Sequence, residues 1–213
     1  MGALTEHTPK PLLRVHGKTL LEHKLERLPK DITEIIFVVG YLGDAIRKEF
    51  GDSYRGIPVR YVEQKELLGT AHSLWQAKEL LKHKFLVLMG DDLYSEDDLK
   101  RSLSHDWALL VRRTPNLIRG GKVMLDEKGH VKDIVEGDNH GGIEGIVYTG
   151  LCVLQPKIFE YPLVKLPNRD EYGLPQTILQ ALDEHDIAVV EATGWISVTD
   201  GDDLAQAEKL LQK

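Results

Sequence analysis

The sequence predicts an α/β fold: a mixed, mostly parallel sheet with helices on both faces and a small antiparallel insertion beside it. Three observations predict it. First, short β-branched or aliphatic runs, IIFVV at 35–39 and FLVLM at 85–89, each stop at a glycine, Gly40 and Gly90. Second, segments between such runs carry apolar residues at helical spacing, as with Ala71, Leu74, Trp75, Ala77, Leu80 and Leu81. Strand and helix in alternation favour parallel pairing. Third, the middle of the chain changes to strand-like runs separated by Gly and Asp turns, which favours antiparallel neighbours.

In chain order, an apolar helix is expected over 20–28, a strand over 35–39, a helix over 42–50 and a strand over 59–62. A helix follows over 70–81 and a strand over 85–89. Strand-like runs at 107–112, 122–125, 131–135 and 146–154 form the expected insertion. Residues 173–182 return to helical spacing, 187–191 read as a strand, and 200–211 read as a closing amphipathic helix. The acidic first turn of that last helix complements its positive end. Neither a repeat nor a long linker interrupts the pattern, so a single domain over 1–213 is expected.

Composition narrows the function classes. The hydrophobic fraction of 42% and charged fraction of 29% are ordinary for a soluble globular protein. A chain of 213 residues suits one domain and buries a core without staples. A net charge of −7 argues against nucleic acid as a partner, since gripping phosphates along a backbone takes clustered Lys and Arg. It leaves room for a local phosphate site built from backbone N–H groups and one or two lysines. The single cysteine, Cys152, lies in the apolar run GIVYTGLCVL and reads as a core residue in a reducing compartment. With no apolar stretch of ~20 residues and no secretory pattern at the start, the expected location is cytoplasmic, without a membrane partner.

Three segments carry candidate chemistry. In Thr8-Pro9-Lys10-Pro11-Leu12, flanking prolines are expected to hold the backbone extended, so that Lys10 offers its ammonium to a phosphate. Taken alone, Lys10 reads better as an exposed loop lysine between turn prolines. In Gln64-Lys65-Glu66-Leu67-Leu68-Gly69-Thr70-Ala71-His72, the Gln64 amide supplies both a donor and an acceptor, suited to the edge of a pyrimidine base. Gly69 would let backbone approach that base closely. Thr70 opens the following helix and reads either as part of the pocket or as the helix N-cap. Gly90-Asp91 follows a buried strand, where ligands bind in open α/β sheets, and a carboxylate there suits a Mg²⁺ that also holds phosphates. Asp92 reads as a turn residue.

These segments together resemble the sugar-1-phosphate nucleotidyltransferases. LTEHTPKPLL at 4–13 is similar to the second half of that family's activation motif, roughly G-x-G-T-R-[LM]-x-P-L-T-x-x-x-P-K-P-L, with Met1 on the [LM] position. The glycine-rich half and the family's first strand are not in the sequence. Gln64 with Leu68-Gly69-Thr70, and then Gly90-Asp91, follow in the family's order, and the resemblance covers nearly the whole chain. It implies a Rossmann-like three-layer sandwich. The implied reaction joins an NTP and a sugar 1-phosphate into an NDP-sugar and pyrophosphate, with Mg²⁺ as cofactor. Lys10 and Asp91 are implied as catalytic, with Lys10 on the phosphates and Asp91 on the metal. Gln64, Gly69 and Thr70 are implied as nucleotide-binding; a pyrimidine is favoured and GTP stays open.

Sugar contacts are implied at Gly121, Glu136, Tyr148 and Thr149, with Tyr148 where the family has asparagine. A hairpin glycine and a strand-end glutamate are the plainer readings of Gly121 and Glu136. Near the C-terminus the family's second metal-binding aspartate falls on Ser197 of Trp195-Ile196-Ser197-Val198-Thr199-Asp200, so Asp200 stands as the substitute metal ligand or as a helix N-cap. Two function classes follow: the transferase, and a non-catalytic sugar-nucleotide-binding or regulatory protein of the same fold. Homo-oligomerisation is left open.

Overall fold

A computed structural model describes residues 8–167, 169–198, 203 and 207. The chain divides into two compact units, residues 1–66, 89–99 and 194–213 in the first and 67–88 with 100–193 in the second.

The first unit begins with a hairpin of β1 (Arg14–Val15) and β2 (Lys18–Thr19). His16 and Gly17 make its two-residue turn at φ 49° and 80°, the positive values that a tight hairpin turn requires. Helix α1 (Leu20–Leu25) starts at once, because Thr19 and Glu22 form a reciprocal capping box. β3 (Ile35–Val39) pairs in parallel with β5 (Ile57–Glu63), with α2 (Gly43–Phe50) between them in sequence. The short β4 (Ser53–Tyr54) adds antiparallel to β5. Leu21, Leu25, Ile35, Phe50 and Val59 make one apolar cluster, so α1 and α2 bury their apolar stripes on this sheet. β7 (Asp92–Leu93) pairs antiparallel with β13 (Ile196–Ser197), beside a second cluster of Leu13, Val15, Leu20, Leu93, Val198 and Ala207.

The second unit is built on a six-stranded sheet ordered β10-β9-β11-β8-β12, with β6 also paired to β11. These strands are β6 (Phe85–Val87), β8 (Ala108–Leu117), β9 (Gly120–Leu125), β10 (Val131–Gly137), β11 (Ile143–Leu154) and β12 (Ala188–Glu191). Helices α3 (Gly69–Gln76) and α5 (Leu174–Ile178) belong to this unit, and α4 (Glu96–Leu103) crosses the boundary between the two. Leu109, Val111, Cys152, Leu154, Ile158, Leu174 and Ile178 are central to its core. Cys152 is fully buried, and burial pushes its thiol up to about 12, as expected for a packing residue.

The α/β class with mixed sheets matches the sequence reading, but the balance of pairings differs. Among the described residues only β3 with β5 and β8 with β12 run parallel. The stretch expected to be a small insertion supplies most of the larger sheet, because β8 and β11 extend to ten and twelve residues. A short turn joins β9 to β10, which such a turn allows only for antiparallel neighbours, and β11 pairs antiparallel with β6, β8 and β9. The helices expected over 70–81 and 173–182 are shorter, with 3₁₀ turns following α5. The closing helix over 200–211 lies almost wholly outside the described residues. Among the described residues, no helix is long and apolar enough to cross a membrane.

Candidate functional site

In the first unit, Lys10 opens a 3₁₀ turn, Lys10–Leu12, after an extended Pro9. This differs from the extended segment expected from the two prolines. Pro11 lies in a first turn, where its missing N–H would have had no partner, and Leu12 N–H closes the turn on the Pro9 carbonyl at 2.8 Å. The turn is seated against the Gly90 corner: a Cβ at Gly90 would stand 3.3 Å from Pro11 Cγ. Lys10 Nζ donates to Asp91 Oδ2 at 2.7 Å. The two residues expected to act on phosphate and metal are therefore in direct contact.

Beneath this pair lie two groups that the sequence did not mark as functional. Asp92, read there as a turn residue, sits on β7 opposite Ser197 and is 7% exposed. Burial and the neighbouring Asp91 charge push its carboxyl up to about 6, against hydrogen bonding from Ser197 and Trp195 and the pull of Lys24. Lys24 is 3% exposed, on the same helix as buried Leu20, Leu21 and Leu25. Its ammonium donates to the Met89 carbonyl. Burial pushes it down to about 8, while Asp92 and Asp91 pull it back up. The available signal was a lysine four residues after Leu20 and three after Leu21, on the apolar face of α1.

Gln64 directly follows β5, and its N–H reaches the Val39 carbonyl at 2.8 Å, extending the parallel ladder by one step. Its side chain therefore stands at the carboxyl end of two parallel strands, where open α/β sheets bind ligands. Asp200, the substitute second metal ligand, lies outside the described residues. Among the described residues, no group of three or more His, Cys, Asp and Glu gathers to hold a metal alone. Asp91, with a side chain 42% exposed, fits a Mg²⁺ held by one carboxylate together with phosphates and water.

In the second unit, Gly69 has φ +92°, and a Cβ there would stand 2.6 Å from the Tyr172 carbonyl oxygen. Backbone approach by Tyr172 is thus enough to require glycine. Leu68, not Thr70, is the N-cap of α3. Thr70 Oγ1 instead accepts from Leu174 N–H at 3.1 Å and so caps the first turn of α5.

Of the expected sugar contacts, Gly121 and Glu136 are register partners on β9 and β10. A Cβ at Gly121 would meet Glu136 Oε2 at 3.2 Å and Tyr148 Cβ at 3.6 Å, so these three residues do come together. Desolvation raises the Glu136 carboxyl above its ordinary range, with Arg169 and His140 opposing. Thr149 does not join the group: it is 1% exposed and donates to the Leu110 carbonyl at 2.9 Å, fastening β11 to β8. Its β-branched hydroxyl faces the core because that face of β11 is the buried one.

Comparison with known proteins gives the chain's relatives. The family model for nucleotidyl transferase matches residues 2–213. The chain is 29% identical over 221 residues to the UTP–glucose-1-phosphate uridylyltransferase AglF of Haloferax volcanii, covering 99% of this chain and 90% of that one. It is 28% identical over 211 residues to the bifunctional protein GlmU of Methanocaldococcus jannaschii, covering 98% of this chain but 50% of that protein, so it spans about half the length of this bifunctional relative. A solved Bacillus anthracis protein, proposed to be a glucose-1-phosphate thymidylyltransferase and holding sucrose, superposes with TM-score 0.86 at 21% identity, covering 100% of this chain and 90% of that one. At that identity the likeness shows the fold.

Proposed function

Because the chain belongs to the nucleotidyl transferase family, we propose that it transfers a nucleotidyl group from an NTP to a sugar 1-phosphate and releases pyrophosphate. The observation that carries this reading is the meeting of Lys10 with Asp91 at 2.7 Å. A sugar-phosphate oxygen attacks the α-phosphorus and forms the new P–O bond. The bond between the α-phosphorus and the bridging oxygen breaks, and its electron pair leaves with pyrophosphate. Negative charge builds on the α-phosphate oxygens, and Lys10 steadies it from a fixed position. Asp91 would hold Mg²⁺, which when bound neutralises triphosphate charge and orients it for in-line attack. The rest is positioning.

Gln64 reads the base, and its paired donor and acceptor favour a pyrimidine. Gly69 and Thr70 shape the turn that follows it. Glu136 beside Gly121 accepts hydrogen bonds from sugar hydroxyls, with Tyr148 next to them. A cytoplasmic setting suits a reduced, buried Cys152.

A second reading, binding without turnover, is favoured by Ser197. This hydroxyl hydrogen-bonds to Asp92, where relatives are expected to place a metal-binding carboxylate. A pyrophosphate-release assay over UTP, dTTP, CTP and GTP with several sugar 1-phosphates separates the two. Turnover supports the transferase. Calorimetric binding of an NDP-sugar with no pyrophosphate supports the second reading.

A further inference from the structure

We propose that Lys24 is a positioning residue, a built-in cation that fixes the 89–91 turn and the carboxylates beside it. This rests on the reading of Asp91 as the metal-binding carboxylate. Helix α1 turns Leu20, Leu21 and Leu25 into the core, and Lys24 is buried with them. An apolar residue at position 24 would continue that buried set, whereas an ammonium there must be desolvated and requires partners. It has them: the Met89 carbonyl directly, and the charges of Asp92 and Asp91.

The two lysines of this cluster differ in access. The Lys10 side chain is 23% exposed and can exchange its carboxylate for a phosphate. Lys24 is 3% exposed and reaches no substrate. Its hydrogen bond falls two residues before Asp91, so it sets the path of the backbone that aims that side chain. Its charge offsets the carboxylates of Asp91 and Asp92, which are adjacent in sequence and would otherwise repel. Lys24 therefore keeps the acidic turn assembled while lowering its grip on a divalent cation.

The test is Mn²⁺ titration of the whole chain, followed by electron paramagnetic resonance, for wild type, Lys24→Met and Asp91→Asn. Thermal melts are run in chelator and in Mn²⁺. Removing one opposing unit charge should tighten Mn²⁺ binding by Lys24→Met about tenfold. Its melting temperature should fall in chelator and recover with Mn²⁺. Lys24→Met/Asp92→Asn removes the uncompensated buried carboxylate and should regain the lost melting temperature without metal; it also serves if the single variant does not fold. In the release assay, kcat of Lys24→Met should fall roughly tenfold or more with NTP KM little changed. Unchanged or weaker Mn²⁺ binding by folded Lys24→Met would overturn the proposal. Mn²⁺ binding by Asp91→Asn equal to wild type would count against the reading of Asp91, and no pyrophosphate from wild type would count against the proposed reaction. Neither result alters what the melts report on Lys24.

Discussion

Lys10 and Asp91, 81 positions apart, meet at 2.7 Å, with Nζ donating to Oδ2. Their side chains are 23% and 42% exposed, so the pair lies at the rim, not in the core. An ion pair of that kind contributes on the order of 1 kcal/mol or less to stability. It can open at little cost, Lys10 turning to a phosphate and Asp91 to a cation. Lys10→Met and Asp91→Asn should each lower pyrophosphate release by about a hundredfold or more, the size expected for losing one fixed charge-stabilising group. Melting temperature should barely move. A large loss of stability with unchanged turnover would mean that the contact is only structural.

Gln64 should act on binding more than on chemistry. Gln64→Leu keeps the backbone bond to Val39 but removes the amide. KM for the preferred NTP should rise by about tenfold, the worth of one hydrogen bond to a base, with kcat nearly constant. Initial rates across the four NTPs check this. A fall in kcat at constant KM would place Gln64 elsewhere in the mechanism.

Glu136 gives a pH signature. Desolvation raises its folded-state pKa above the ordinary 4.5. From 4.5 up to the raised value the folded protein holds a proton that the unfolded chain has lost. Stability therefore falls as pH rises through that window and stays lower above it. Glu136→Gln has no such step, so its advantage in melting temperature over wild type should be larger at pH 7 than at pH 4. Equal differences at both values would contradict the partial desolvation of this otherwise exposed carboxyl. If Glu136 also contacts sugar hydroxyls, the same variant raises KM for the sugar 1-phosphate.

Thr149 tests the revised sugar group. Thr149→Val removes the bond to the Leu110 carbonyl and leaves that buried carbonyl short of one partner, costing on the order of 1–2 kcal/mol. KM for the sugar 1-phosphate should stay constant while melting temperature drops. A sugar-specific rise in KM would return Thr149 to the binding set.

Apolar runs made β3, β6, β8 and β11 legible in the sequence, and β5 was read from its shorter run at 59–62, of which only Val59 is buried. The two-residue strands β1, β2, β4, β7 and β13 were not legible, since so short a segment has no period to read. That omission hid Asp92, whose place opposite Ser197 exists only once β7 pairs with β13. Lys24 was hidden for the opposite reason: the pattern around it is that of a core helix. Thr70 and Thr149 show a third limit. A hydroxyl beside a motif looks the same in sequence whether it faces a ligand, a helix end or a strand carbonyl.

Pyrophosphate release from the purified chain with Mg²⁺, a pyrimidine NTP and a sugar 1-phosphate distinguishes a transferase from a binding protein. Turnover is expected to need both substrates and the divalent cation and to be lost in Asp91→Asn. Tight binding of an NDP-sugar with no release under any pairing, or release unaffected by Asp91→Asn, would contradict it.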